Sequence, residues 1–150
     1  MKIEKLTEGG FLITKIQQLS QRIFDTLLKE YEIEEITAAQ GRVIFPIWQK
    51  DNLSFQELKK ATLLSKATLS YMLDQLEKGG HIQRIRSQDD KRVIYIKLTK
   101  LNKDLMEKFI QVSKGMKDIF YKGFSDNQIA TFEENLKKVL DNLTDYKKKD

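Results

Sequence analysis

No cysteine occurs anywhere in the chain. That excludes a disulfide framework, a thiolate zinc site and cysteine-based peroxide sensing. There is one histidine, too few for a multi-histidine metal sensor, and a single proline and a single tryptophan. No apolar run approaches the ~20 residues of a membrane span, and the N-terminal stretch mixes Lys and Glu with apolar residues instead of carrying a signal-peptide core. The expectation is a cytoplasmic protein with no membrane partner and no cofactor. Catalysis finds no support either. There is no phosphate-binding glycine loop and no nucleophile paired with a base. Asp89 and Asp90 are neighbours on one turn, and the glycines at 9–10 and 79–80 read as helix punctuation. The chain is not expected to be an enzyme.

What is present is charge, unevenly spread. Of 150 residues, 40% are hydrophobic and 33% charged, the balance of a helix-rich chain with a real core. Residues 59–103 hold 11 Lys or Arg against 4 Asp or Glu, whereas the remainder holds 16 against 18. The basic surplus is therefore local, as binding to a phosphate backbone requires.

That stretch has an order of its own. Ser54 with Glu57 forms a capping box, and Leu53 and Leu58 stand where a hydrophobic staple sits. The helix so begun turns Leu58 and Ala61 inward. A second start follows at Ser65, with Leu64 and Leu69 as the staple, and Leu69, Met72, Leu73 and Leu76 repeat at helical spacing up to Gly79 and Gly80. Two helices about three residues apart fit a helix-turn-helix, whose second helix enters the DNA major groove. Ile94, Ile96 and Leu98 then alternate with Val93, Tyr95 and Lys97 as a strand does, Ile82 to Arg86 supplies its partner, and the polar run 87–92 makes the turn between them. The whole is a winged helix-turn-helix.

Residues 54–99 resemble the MarR-type transcriptional regulators. Asp90-Lys91-Arg92 followed by Leu98-Thr99 matches their DxR…LT wing. Ser65 to Ser70, Leu76-Glu77-Lys78 running into Gly80, Ile82 and Arg84 follow at the family's spacing with no gap. The resemblance covers the central third residue by residue and the flanks only in helix order and length. It implies a dimer joined through terminal helices, and an effector pocket where the first, second and fifth helices meet.

The flanks read as follows. A helix over about 10–31 carries Leu12, Ile16, Leu19, Ile23 and Leu27 in one stripe, widened by Phe24, Leu28 and Tyr31, broader than one partner helix needs. Thr37 with Gln40 caps a helix through Val43, Ile44, Ile47 and Trp48. Pro46 inside it removes the hydrogen bond to the Arg42 carbonyl and should kink or shorten it. Space beside Ile44 and Trp48, with Gly41 where the family more often has a larger residue, is the candidate effector pocket. After the wing, Thr99 caps a helix with Leu101, Leu105, Phe109, Val112, Met116 and Ile119, ending near Phe120. Gly123 breaks the chain, and Ser125 with Gln128 opens a last helix bearing Ile129, Phe132, Leu136, Val139, Leu140 and Leu143.

The fold class expected is mainly α with a small β-wing: an N-terminal dimerisation helix over 1–36, the winged helix-turn-helix over 37–99 and C-terminal dimerisation helices over 100–150, together one compact unit. With the stripe of Leu69, Leu73 and Leu76 inward, the second helix offers Lys66, Ala67, Thr68, Ser70 and Tyr71 to DNA, and the amides at Ser54 and Ser65 face phosphate. Tyr71 replaces a cation common in the family. Arg92 is the wing residue best placed for the minor groove or backbone, Lys91 is its exposed neighbour, and Asp90 orients Arg92. Arg84 and Arg86 share a strand face toward the groove. His81, where the family usually has an apolar residue, reads as a partly buried structural histidine. The function expected is a homodimeric regulator of double-stranded DNA bearing an inverted-repeat operator, a repressor released by a small molecule. The alternative is a winged-helix protein-interaction or assembly module with incidental DNA binding.

Overall fold

A computed structural model describes residues 6–148. Its elements are α1 (Gly9–Glu30), α2 (Ala38–Gln49), β1 (Leu53–Ser54), α3 (Phe55–Thr62), α4 (Lys66–Lys78), β2 (Ile82–Arg86), β3 (Ile94–Leu98), α5 (Lys100–Phe120) and α6 (Asp126–Lys148). Met1–Lys5, where the segment read as lacking a signal-peptide core begins, and Lys149 and Asp150 lie outside the described residues. The chain packs as two units, Met1–Met116 and Lys117–Asp150, where the sequence reads as one. In the second unit α6 buries none of its described residues.

The helix starts are where the sequence places them. The Thr37, Ser54 and Ser125 side chains each accept the amide of the third helical residue, and Gln40, Glu57 and Gln128 reach back to the capping amide. Leu58, Leu69, Leu73 and Leu76 lie in the core with Val43, Ile44, Ile47 and Ile96. Burying such side chains is what holds two short, individually marginal helices in place. Between them Leu63 takes a left-handed conformation at φ 56° and gives its amide to Lys59, a sharp turn with no glycine to announce it.

The wing is the antiparallel pair β2–β3, with Ile82 opposite Leu98 and Arg86 opposite Ile94. A third strand goes beyond the sequence expectation: Leu53 and Ser54 pair with Ile96 and Tyr95, so the sheet order is β1-β3-β2. Leu53, expected as a staple for α3, thus also anchors α3 to the wing. Two places differ from the sequence expectation. Ala61 is exposed. Leu101 is 47% exposed, and Asn102 takes the inward place at the start of the α5 stripe. Pro46 lies inside α2, which runs past Trp48 to Gln49 as its apolar spacing requires.

Candidate nucleic-acid interface

The starts of α3 and α4 and the base of the wing surround one cleft, lined by Ser54, Lys66, Ser70, Arg84, Arg92 and Ile94 among others. Ser54 and Ser65 each cap a helix there, so the orphan amides and the positive ends of two helix dipoles open beside it. The Ser65 hydroxyl accepts the Thr68 amide at 3.1 Å and donates to the Thr68 hydroxyl at 2.9 Å. Lys66, Ala67, Thr68 and Tyr71 are exposed and Ser70 is half-buried. The face opposite the leucine stripe is therefore free, as its spacing requires.

The four arginine and lysine expectations for the wing divide. Arg92 and Asp90 form a bidentate pair, Nε to Oδ1 and Nη2 to Oδ2, both 3.0 Å, while the Arg92 amide also donates to Oδ1. The guanidinium holds the Asp90 carboxyl below the usual carboxylate range, yet the Arg92 side chain remains 91% exposed. Such a pair fixes direction without withdrawing the cation from solvent. Lys91 is exposed. Arg84 is different: its Nη2 lies 2.6 Å from Asp74 Oδ1 and 2.9 Å from Glu77 Oε1, and its amide donates to Glu77 Oε2. It reaches the cleft, but its charge is matched by two carboxylates of α4, so it locks the wing to that helix in place of offering a free cation. Arg86 gives its guanidinium to the Lys91 carbonyl and closes the wing tip. Each of these two arginines thus has acceptors within the protein, and Arg86 remains exposed beside them.

A cavity does lie where the first, second and fifth helices meet, but with a different lining from the one expected. This cavity of about 330 Å³, among α1, α2 and α5, is lined by Phe24, Gly41, Arg42, Pro46, Phe109 and Met116 with Ser20, Ala38, Phe45, Ala61 and Ser113. Neither Ile44 nor Trp48 lines it. Ile44 is wholly buried in the core, and Trp48 turns its indole Nε1–H to Asn102 Oδ1 at 2.7 Å. Gly41 borders the cavity, but a methyl there would point away from the open space and run into the Phe109 ring. The cavity does open beside Arg42 and Pro46, the pair between which the helical hydrogen bond is missing.

Asn102 escapes notice in the sequence, yet it organises the joint behind the wing. An indole can only donate, so the Asn102 oxygen faces Trp48 and its amide nitrogen faces His81 Nδ1, 3.4 Å away. The neutral His81 ring then carries its proton on Nε2. His81 is almost completely buried. Burial pushes its pKa down, and the Glu35 carboxylate opposes this to a smaller extent. The folded ring thus takes up its proton at lower pH than the unfolded one, whose pKa is about 6.5. The stabilisation is present above that value and is lost as pH falls below it. Between pH 7.5 and 5.5 the denaturation midpoint of the native protein should fall, and that of His81→Gln should fall less. Equal slopes would place the proton uptake elsewhere. The depressed carboxyls of Glu57, Glu77 and Asp90 act only in the more acidic range.

A family model described as the MarR family matches residues 36–94. Over 132 residues the chain is 32% identical to the multiple antibiotic resistance protein MarR of Escherichia coli K12, covering 87% of this chain and 90% of that one. The chain belongs to the MarR family. These are winged-helix transcription regulators and not enzymes. Among solved structures, the fold matches a MarR protein of Peptoclostridium difficile with a TM-score of 0.84 at 20% identity, covering 97% and 94% of the two chains. It also matches a cysteine-to-serine mutant of E. coli MarR complexed with operator DNA, with a TM-score of 0.77 at 32% identity over 87% and 92%.

Proposed function

We propose that this MarR-family chain is a homodimeric, sequence-specific regulator of double-stranded DNA, acting as a repressor that a small molecule releases. The observation that carries the DNA reading is the cleft itself. Two capped helix starts, Lys66 and the outward-held Arg92 converge on it. Ala67, Thr68 and Tyr71 read or approach bases, while Ser54, Ser65, Ser70, Lys91 and Arg92 hold the backbone. Arg84 and Arg86 act through the shape of the wing. The operator complex of the related MarR supports this reading by similarity. The dimer rests on apolar rows left exposed within each unit, Phe11, Leu12, Ile16 and Leu19 on α1 and Val139, Leu140 and Leu143 on α6. A two-fold pairing covers such rows economically. Release rests on the cavity among α1, α2 and α5, where a bound ligand would favour a half-site spacing that mismatches the operator.

Selection of bound duplexes from a random pool tests class and symmetry together. An inverted repeat is expected, with light scattering at twice the 17.6 kDa chain mass. A pool that yields no preferred sequence would instead favour the protein-interaction module, and a clean monomer would remove the dimer.

A further inference from the structure

We infer that Tyr71 reads a hydrogen-bond acceptor on the major-groove edge of one base in each half-site, and that Gln75 and Gln40 position it as a donor. The inference rests on the DNA-reading function proposed above and adds to it a polarity that can be tested separately.

Three hydrogen bonds run in one direction. The Gln40 Oε1 accepts the Thr37 backbone amide at 3.0 Å as half of the α2 capping box. A backbone N–H can only donate, so this bond fixes which end of the Gln40 amide faces which way. Gln40 Nε2 is therefore left to donate, and it does so to Gln75 Oε1 at 3.5 Å. That in turn assigns the Gln75 amide, whose Nε2 donates to the Tyr71 phenol oxygen at 2.9 Å. A phenol oxygen has two in-plane directions, one for its proton and one for a lone pair. With the lone pair taken by Gln75, the O–H is what Tyr71 has left to give. The ring itself is 62% exposed on the reading face of α4, one turn past Ala67.

A donor on that face discriminates among bases by its polarity. Guanine offers N7 and O6 side by side, adenine N7, and thymine O4, while cytosine offers only its N4 amino donor. Guanine is the best fit, and cytosine is the base disfavoured at the position Tyr71 reaches. A cation at this place would be attracted to phosphate and acceptors alike. A phenol with its lone pair occupied gives up that charge for a directional contact.

The relay can be reversed without losing the cap. Gln40→Glu keeps an oxygen for the Thr37 amide, since Glu serves a capping box as well as Gln, but it has no donor for Gln75. The Gln75 amide should then turn over, donate to the new carboxylate and accept from Tyr71, which leaves the phenol lone pair facing the groove. The added charge should weaken all duplexes alike. The base preference at the Tyr71 position should move toward bases with an edge amino group, cytosine or adenine.

The test is parallel selection from one random duplex pool with wild type, Tyr71→Phe and Gln40→Glu, followed by titration of duplexes altered at the affected position. Tyr71→Phe should lower discrimination at one position per half-site by about two- to tenfold, the range of one net hydrogen bond, and weaken random-duplex binding by less than it weakens binding to the preferred site. Gln40→Glu should change the preferred base there. An unaltered motif for Tyr71→Phe would overturn the inference while the proposed function stands, and so would equal weakening on specific and random duplexes, which marks a phosphate contact. An unaltered preference for Gln40→Glu would overturn the positioning by Gln40 and Gln75. No motif even for wild type would overturn this inference and the DNA-reading function together.

Discussion

Gly41→Val should destabilise the fold by about 1–3 kcal/mol, although helix propensity alone predicts a gain of a few tenths. The difference in sign comes from one neighbour. A Cβ at position 41 would overlap the Phe109 Cζ and lie 3.1 Å from its Cε2. The ring is 3% exposed, and it packs between Phe24, with centroids 5.4 Å apart, and Trp48, at 4.7 Å. It cannot retreat without disturbing one of those neighbours. Trimming the ring should relieve the clash, so Gly41→Val with Phe109→Leu should cost less than the sum of the two single changes. Urea denaturation of the four proteins at one protein concentration measures this. A Gly41→Val protein as stable as wild type would mean that Phe109 moves freely into the adjacent cavity.

The same residue illustrates what the sequence makes legible and what it hides. Gly41 stands out as small, and the economical expectation is room for a ligand. That a ring midway along α5 fills the space is a tertiary fact with no local signature. Helix starts are legible because a capping box uses residues three apart, and the Thr37, Ser54 and Ser125 boxes all form as spaced. The leucine stripe of α4 is legible for the same reason: Leu69, Leu73 and Leu76 are buried through a period the sequence itself carries. Strand β1 is not, since Leu53–Ser54 is too short to alternate and becomes a strand only because β3 passes beside it. Arg84 and Arg92 look alike in sequence, yet one is pinned by Asp74 and Glu77 across an element boundary and the other by Asp90 two residues away. Only the second pairing is local enough to read from the chain. Asn102 has a signal that apolar counting passes over: positions 102, 105, 109, 112 and 116 form a stripe at least as regular as the one begun at Leu101. A polar residue on such a stripe marks a buried hydrogen-bond network.

Thr68→Ala should cost about 1–3 kcal/mol on the preferred duplex and much less on a scrambled one. Lys66→Ala and Arg92→Ala should weaken both duplexes by similar factors. The distinction follows from what each side chain presents. Thr68 lies in the first turn of α4, exposed on the face opposite Leu69, Leu73 and Leu76. Its hydroxyl accepts from Ser65 at 2.9 Å, which leaves its own proton for a base acceptor and its methyl for thymine. Lys66 carries a mobile point charge that any phosphate satisfies. Arg92 is aimed by Asp90 but stays in solvent, so its contribution should appear in the salt dependence. The slope of log affinity against log salt should fall by roughly 0.9 for each phosphate that Arg92→Ala no longer neutralises. Should Arg92 enter the minor groove instead, its cost will follow the A·T content beneath the wing. Competition titrations of the three variants against specific and scrambled duplexes, at two fixed salt concentrations, separate these outcomes. Equal losses on both duplexes for Thr68→Ala would mean that α4 does not read bases at that position, and unchanged affinity and slope for Arg92→Ala would take the wing out of the contact with DNA.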